Sequence, residues 1–218
     1  AKIYYNINSG EVPSATSTEY TAPIPVTESS TIKAIAIKDG KSSTVITREI
    51  SVDANDVVTL PYLQKFDGSL ADWYPCSING EQVWAAASYQ ETTYAKISGY
   101  LSGSRFENED WLISPAIPAG KIVVNFESAQ NKESDGTGIG FAYSFDYDGY
   151  SDPTTASWTF VTEGITWSPV GETYAITPSG DIEIDNTTEN PTHIAYKYTS
   201  SNEGANTWQI YNVSIDKK

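Results

Sequence analysis

Polar and apolar residues alternate with a period of two along most of the chain. Ile32, Ala34 and Ala36 share one face of an extended run, and Lys33, Ile35 and Ile37 share the other. Asp39-Gly40 follows, then a second extended run from Thr44 to Val52. This predicts two strands around an Asp-Gly turn, a dipeptide that accepts the positive φ of a tight hairpin. The alternation recurs at Ile122, Val124 and Phe126, at Ile194, Tyr196 and Tyr198, and at Tyr211, Val213 and Ile215. Each triplet predicts an antiparallel strand with one face on a core. No segment of helical length keeps a 3.6-residue period. The best short helix candidate is Gln82 to Ser88, and its Val, Trp and Ala content fits a strand as well. Gly, Pro, Ser, Thr, Asn and Asp fill the intervals, as turns require.

One run has two unlike faces. Ile139, Phe141, Tyr143 and Phe145 form a bulky face that predicts core. Gly138, Gly140, Ala142 and Ser144 form a small face, which leaves room for a covering loop of the same chain or for a ligand.

Composition then divides the chain. All six Trp lie beyond residue 72, and the first 52 residues are rich in small side chains. The polar break Asp53-Ala54-Asn55-Asp56 separates them from the remainder. The expectation is a small module at 1–52 and a sandwich at 57–218. A lone β module of that size is marginal, and it begins abruptly at Ile3-Tyr4-Tyr5. Either strands upstream of Ala1 complete it, or it leans on the larger domain. With no Met in the chain, the expectation is a mature piece whose secretion signal and anchor have been removed.

Charge narrows the partners. Twenty-eight Asp and Glu against 13 Lys and Arg give a net charge of -15. That disfavours binding to nucleic acid, which rests on Lys and Arg meeting phosphates, and binding to anionic lipid. No run approaches the roughly 18 apolar residues of a membrane span. Cys76 and His193 are each the single residue of their type, so there is no internal disulfide and no thiolate cluster.

Two family resemblances emerge from particular residues. The segments Ile3-Tyr4-Tyr5-Asn6-Ile7-Asn8-Ser9-Gly10, Tyr20-Thr21-Ala22-Pro23 and Thr31 to Ser43 resemble the C-terminal module of chitobiases and β-hexosaminidases. The resemblance implies an immunoglobulin-like or fibronectin-like sandwich that accompanies other domains. Leu60-Pro61-Tyr62, Phe66, Trp73, Asp110-Trp111-Leu112-Ile113-Ser114-Pro115, Tyr143 to Gly149 and Trp208 to Ile215 resemble the cleaved-adhesin and choice-of-anchor jelly rolls of Bacteroidetes surface proteins. That implies an extracellular or outer-membrane location, lipoprotein-type anchoring, adhesion to glycans or proteins, and calcium in several relatives. The expected architecture is all-β: a partial immunoglobulin-like sandwich followed by a jelly-roll β-sandwich.

Two kinds of site follow. Sugar faces pack on aromatic rings while hydroxyls need Asp, Asn, Gln or backbone partners. Tyr147, Asp148, Tyr150 and Asp152, with Trp158, supply both kinds where strand alternation gives way to loop, and Trp167 and Tyr174 lie in a second turn-rich region. For calcium, Glu109 and Asp110 sit in an oxygen-rich run, and Asp67 and Asp216 follow the first and last strands of the sandwich. If those strands are neighbours, Asp67 and Asp216 can meet. The run Asp146 to Asp152 lacks the twelve-residue EF-hand frame. No hydrolase elbow, zinc motif or phosphate loop is present, so no catalytic residue is assigned. The chain reads as a non-catalytic carbohydrate-binding or adhesion module, with structural calcium as its candidate ion. Its alternative is a spacer or protein-interaction domain whose aromatics are packed away.

Overall fold

A computed structural model describes the chain except residues 25, 27, 28, 51–56, 132–137 and 172. The fold is all-β, with one short 3-10 turn at Pro153–Thr155 among the described residues. The chain divides into two compact units, Ala1–Asn55 and Asp56–Lys218.

The first unit holds β1 (Lys2–Ile7), β2 (Thr18–Glu19), β3 (Ser30–Lys38), β4 (Lys41–Ser42) and β5 (Ile46–Ile50). They form one antiparallel sheet in the order β2-β1-β3-β4, with β5 also on β3. Asp39 and Gly40 turn the β3–β4 hairpin with φ of 51° and 72°, the sign that a two-residue turn of matching twist needs. The run expected from Thr44 begins as a strand only at Ile46, because Ser43 turns its hydroxyl to the Ala36 N–H at 3.0 Å. Residues 51 and 52 of that run lie outside the described residues. Ile35 is the one buried large apolar side chain of this unit among the described residues.

The second unit holds β6 (Tyr62–Gln64), β7 (Tyr74–Asn79), β8 (Ala85–Tyr89), β9 (Thr92–Ser98), β10 (Tyr100–Leu101), β11 (Ser104–Arg105) and β12 (Asn108–Ile113). It continues with β13 (Gly120–Asn131), β14 (Gly138–Ser144), β15 (Thr159–Val161), β16 (Thr177–Pro178), β17 (Ile182–Asn186), β18 (His193–Ser200) and β19 (Thr207–Lys217). The ambiguous stretch at Gln82 resolves as the strand β8.

Apart from β10 and β11, which pair as a two-stranded ribbon, these strands make two sheets. The front sheet runs β16-β13-β19-β9-β8, with β17 on β13 and β6 on β19. The back sheet runs β15-β14-β18-β12-β7. The expected alternations meet between them. Ile122, Val124, Phe126, Ile210, Val213 and Ile215 of the front pack with Leu112, Phe141, Ile194, Tyr196 and Tyr198 of the back. Phe126 bridges the layers, with ring centroids 5.7 Å from Phe141 and 5.0 Å from Tyr196.

One strand departs from its expected phase. Tyr211 does not share a face with Val213 and Ile215. β19 carries an extra residue opposite Asn125/Glu127 of β13, and Asn212 adopts φ 45° there. Such a bulge resets the two-residue period. Val213 and Ile215 point into the core, and Tyr211 points out of the front sheet.

Candidate functional site

The two outer faces of the sandwich differ. On the back sheet, the small residues Gly140, Ala142 and Ala195 adjoin Trp111 and Ile113. The chain fills this space itself. Tyr147, Ala156 and Trp158 pack on Trp111, Ile113 and Ala195. The Phe160 ring lies 3.3 Å from where a Cβ on Gly140 would stand. Trp158 sits 5.1 Å from Trp111 and 5.4 Å from Tyr147, and Tyr147 meets His193 edge-on at 5.3 Å. Polar ends are closed locally. The Tyr147 hydroxyl donates to the Ser151 carbonyl (2.9 Å), and the Trp158 indole donates to the Pro153 carbonyl (2.9 Å).

This placement corrects most of the expected ligand-binding loop. Tyr147 is 4% exposed and Trp158 is half-buried, so both are cover rather than platform. Asp148 accepts from the N–H groups of Tyr150 and Ser151, and Asp152 caps the 3-10 turn through the Thr154 N–H at 2.8 Å. Their oxygens stabilise turns, the usual work of Asp in such positions. Half-buried Tyr150 belongs to the same turn. Trp167 packs on Phe126 and Trp208, at 5.2 and 5.7 Å, at the edge of the main core. Asp146, not among the expected ligands, clamps both ends of the cover. It accepts from Ser144 Oγ (2.7 Å) and from the Ser157 N–H (2.9 Å), and these bonds hold its carboxyl below the usual range.

The front sheet is open. A cleft of about 560 Å³ lies over its outer face, lined by Tyr89, Gln90, Thr92, Tyr94, Lys96, Tyr174, Ile176, Gln209 and Tyr211. Tyr94 and Tyr211 form the floor, with ring centroids 5.0 Å apart, packed on Ala87 and Ala129. Tyr89, at the β8 edge, is 70% exposed and forms one rim. Tyr174 forms the other, at 36% exposed, fixed by its N–H on the Gln130 carbonyl (2.8 Å) just before the edge strand β16. The Tyr211 hydroxyl donates to Gln209 Oε1, and no described residue accepts from the Gln209 amide N–H groups. Burial raises the Tyr211 phenol above its ordinary pKa, as do the neighbouring phenols of Tyr94 and Tyr174. It stays a neutral donor. Lys96 is the one charged residue among the described lining, in a chain of net charge -15.

Of the seven expected ligand-binding residues, Tyr174 alone lines this cleft. Sequence reasoning passed over Tyr89, Tyr94, Gln209 and Tyr211. Tyr94 carried a signal. It alternates with Ala95 and Ile97, which face the core, so a large ring stood on the solvent phase of a strand. For Tyr211 the bulge concealed the same signal.

The four expected metal ligands do not converge. Ile215 pairs with Tyr62 and Val213 with Gln64. Asp216 therefore lies beyond the start of β6, and Asp67 lies beyond its end. The three residues of β6 lie between them, roughly 10 Å at about 3.3 Å per residue. The strands are neighbours as expected, but their antiparallel run separates the carboxylates. Glu109 faces outward and pairs with Lys197 at 2.9 Å. Asp110 points the other way and is 0% exposed. No group of three or more His, Cys, Asp or Glu converges among the described residues. His193 donates from Nδ1 to the Ser114 carbonyl at 2.9 Å, and burial lowers its pKa. Half-buried Cys76 joins the back-sheet cover, where burial raises its pKa.

Comparison with known proteins returns both resemblances. The family described as Chitobiase/beta-hexosaminidase C-terminal domain matches residues 1–48. The family described as Domain of unknown function (DUF5017) matches residues 94–218. No curated protein matches the chain. Among solved structures, the K1 cleaved adhesin domain of Lys-gingipain from Porphyromonas gingivalis W83 is similar with a TM-score of 0.54 and 13% identity. That similarity covers 73% of this chain and 99% of the gingipain domain. The K2 cleaved adhesin domain of Lys-gingipain gives 0.50 and 11%, over 73% and 99%. At these identities the likeness is one of fold.

Proposed function

We propose, for a chain that belongs to the family described as Domain of unknown function (DUF5017), that the front-sheet cleft binds a carbohydrate chain and that the module is non-catalytic. One observation carries the reading: four tyrosines line a single cleft, two as floor and two as solvent-exposed rims, with amide and ammonium donors between them. Rings stack on the C–H faces of sugars, and Gln209, Gln90 and Lys96 supply donors to hydroxyl or carboxylate oxygens. The cleft is within the size range of small-ligand sites, roughly 300–1,000 Å³. Glycoside hydrolysis needs two carboxylates at the scissile bond, and the described lining holds none. A cell-surface or secreted setting belongs to the same proposal, as does avidity from repetition on a larger assembly.

Isothermal titration against a panel of neutral and acidic polysaccharides tests it. The expected result is micromolar or weaker binding that Tyr174→Ala lowers about tenfold, equal to about 1.4 kcal/mol, with an unchanged melting temperature. Absence of binding across the panel overturns the reading, and the module is then a spacer or protein-interaction domain.

A further inference from the structure

Strand register gives the front-sheet cleft an internal order. Ala87 stands opposite Tyr94, and Glu127 opposite Tyr211. Two residues along the strands the same outer face repeats. There Ala85 stands opposite Lys96, Lys96 opposite Gln209, and Gln209 opposite Ala129. Directly opposed side chains start with Cβ atoms about 5 Å apart. The aromatic floor therefore adjoins a row in which Lys96 and Gln209 lie side by side between two alanines. Both line the cleft. Gln209 is 5% exposed, and its Oε1 is taken by the Tyr211 hydroxyl. Its two amide N–H groups are left as donors with no acceptor among the described residues. Lys96 is exposed and forms no ion pair among the described residues. Two carboxylates adjoin the lining in register or sequence. Glu127 accepts from Asn212 Nδ2 at 2.7 Å, and Glu91 stands in the turn between β8 and β9. Neither lines the described cleft.

The Lys96–Gln209 row offers donors only. Lys has no acceptor, and the one acceptor of Gln209 is occupied. A sugar hydroxyl both donates and accepts, whereas an ionised carboxylate only accepts. The row is therefore matched to a carboxylate. Charge agrees with the hydrogen-bond count. The chain carries a net charge of -15, yet the one charged group in the described lining is a cation. At physiological ionic strength the Debye length is about 8 Å, so distant carboxylates are screened and the ammonium at the site decides. Resting on the carbohydrate reading above, we propose that the cleft selects sugars that carry a carboxylate, as uronic acids do. The sugar ring seats among the four tyrosines, and its carboxylate accepts from the Lys96 ammonium and the Gln209 amide. Hydrogen bonds to a charged acceptor are about twice as strong as neutral ones, which makes the carboxylate the selective group.

The experiment is titration calorimetry on the full chain in about 0.15 M sodium chloride. Polygalacturonate, alginate and hyaluronan are each compared with a carboxyl-reduced form, in which the carboxylate becomes a hydroxymethyl group and the linkages stay. At least one acidic polymer is expected to bind about tenfold tighter than its reduced form. Lys96→Gln is expected to bring that ratio down to about twofold, and Lys96→Arg to keep it near tenfold. Lys96 is exposed, so both variants are expected to melt with the parent. Tyr174→Ala is expected to weaken both forms and leave the ratio unchanged. Equal affinity for the two forms of every polymer that binds overturns the proposal and leaves the carbohydrate reading standing. So does a Lys96→Gln chain that keeps the tenfold ratio. Binding of poly-glutamate, or of a sulfated galactan without carboxylates, as tightly as the best acidic polymer also overturns it, because the cleft then reads charge rather than a sugar carboxylate. Absence of binding to every polymer in both forms removes the carbohydrate reading and this proposal with it.

Discussion

The two outer faces of the sandwich begin from similar material. Each sheet presents large aromatics beside small residues: Trp111 with Gly140 and Ala142 on the back, Tyr94 and Tyr211 with Ala87 and Ala129 on the front. They end differently because of what the connections do. On the back, the segment between β14 and β15 crosses the sheet and inserts Tyr147 and Trp158, and Asp146 clasps its two ends. On the front, the approach to β16 keeps to the sheet edge, raises Tyr174 as a rim and leaves the floor open. Aromatic content therefore does not identify a ligand face. A ring serves a ligand only where the chain does not return to cover it.

The strongest test of this difference removes the cover. Trp158→Ala strips the ring that lies between Trp111 and Tyr147. Large-to-small changes at aromatic core positions cost about 3–5 kcal/mol, and half-burial places Trp158 near the lower end, at about 3 kcal/mol. Urea denaturation is expected to show that loss, while glycan binding on the front sheet stays within a factor of two. A folded Trp158→Ala protein with parental stability and lost binding would reverse the assignment of the two faces.

Much of the fold was legible from alternation. The inward residues of β13, β14 and β18 carry an unbroken period of two, which is why Ile122, Phe141 and Tyr196 read as core and are core. The site was legible only in part. Tyr174 stood out because its neighbours are turn-forming. Tyr94 and Tyr211 sit inside strands, where a ring reads as core until the other face is known, and the bulge at Asn212 moved Tyr211 between faces. Tyr147 and Trp158 misled for the opposite reason. A loop composition of Asp, Gly and Ser is what a solvent-facing site needs, and it is also what a tight self-capping cover needs. Nothing local separates them. The carboxylates followed the same rule: adjacency of β6 and β19 was foreseeable, but which ends meet depends on strand direction, and that parted Asp67 from Asp216.

Acid provides a second, smaller test. His193 lies beneath the cover, against Tyr147 and close to Gly149. Burial depresses its pKa below the ordinary value near 6.5. The unfolded chain therefore takes up this proton first as pH falls. Stability from neutral His193 is complete above about pH 6.5 and declines as pH drops from there toward its lower folded pKa. The described cleft lining, by contrast, holds no His, Cys or carboxylate. Buried Asp110, whose carboxyl is pushed up to about 7, gains stability over the same range in both proteins, so denaturation at pH 7.5 and 5.5 is expected to move the parent toward lower stability relative to His193→Asn. Binding at the two pH values is expected to be equal. An acid-sensitive affinity that His193→Asn abolishes would mean that the back sheet takes part in recognition.

The smallest expected effect is also the most discriminating between the sequence reading and the structure. Tyr150 stands in the same turn as Tyr147, but it appears in neither aromatic cluster of the back sheet nor in the cleft lining. Its turn is held by Asp148, which accepts from the Tyr150 and Ser151 backbone N–H groups, bonds that do not need the phenol ring. Tyr150→Ala keeps both donors. Away from caps and cores, surface substitutions change stability by about 0.5 kcal/mol or less. Both melting temperature and glycan affinity are therefore expected to stay close to parental, while Tyr174→Ala weakens binding in the same assay. If Tyr150→Ala instead lowers affinity as much as Tyr174→Ala, the recognition surface includes the turn that covers the back sheet, and an open face is no longer what distinguishes a ligand-binding ring from a packed one.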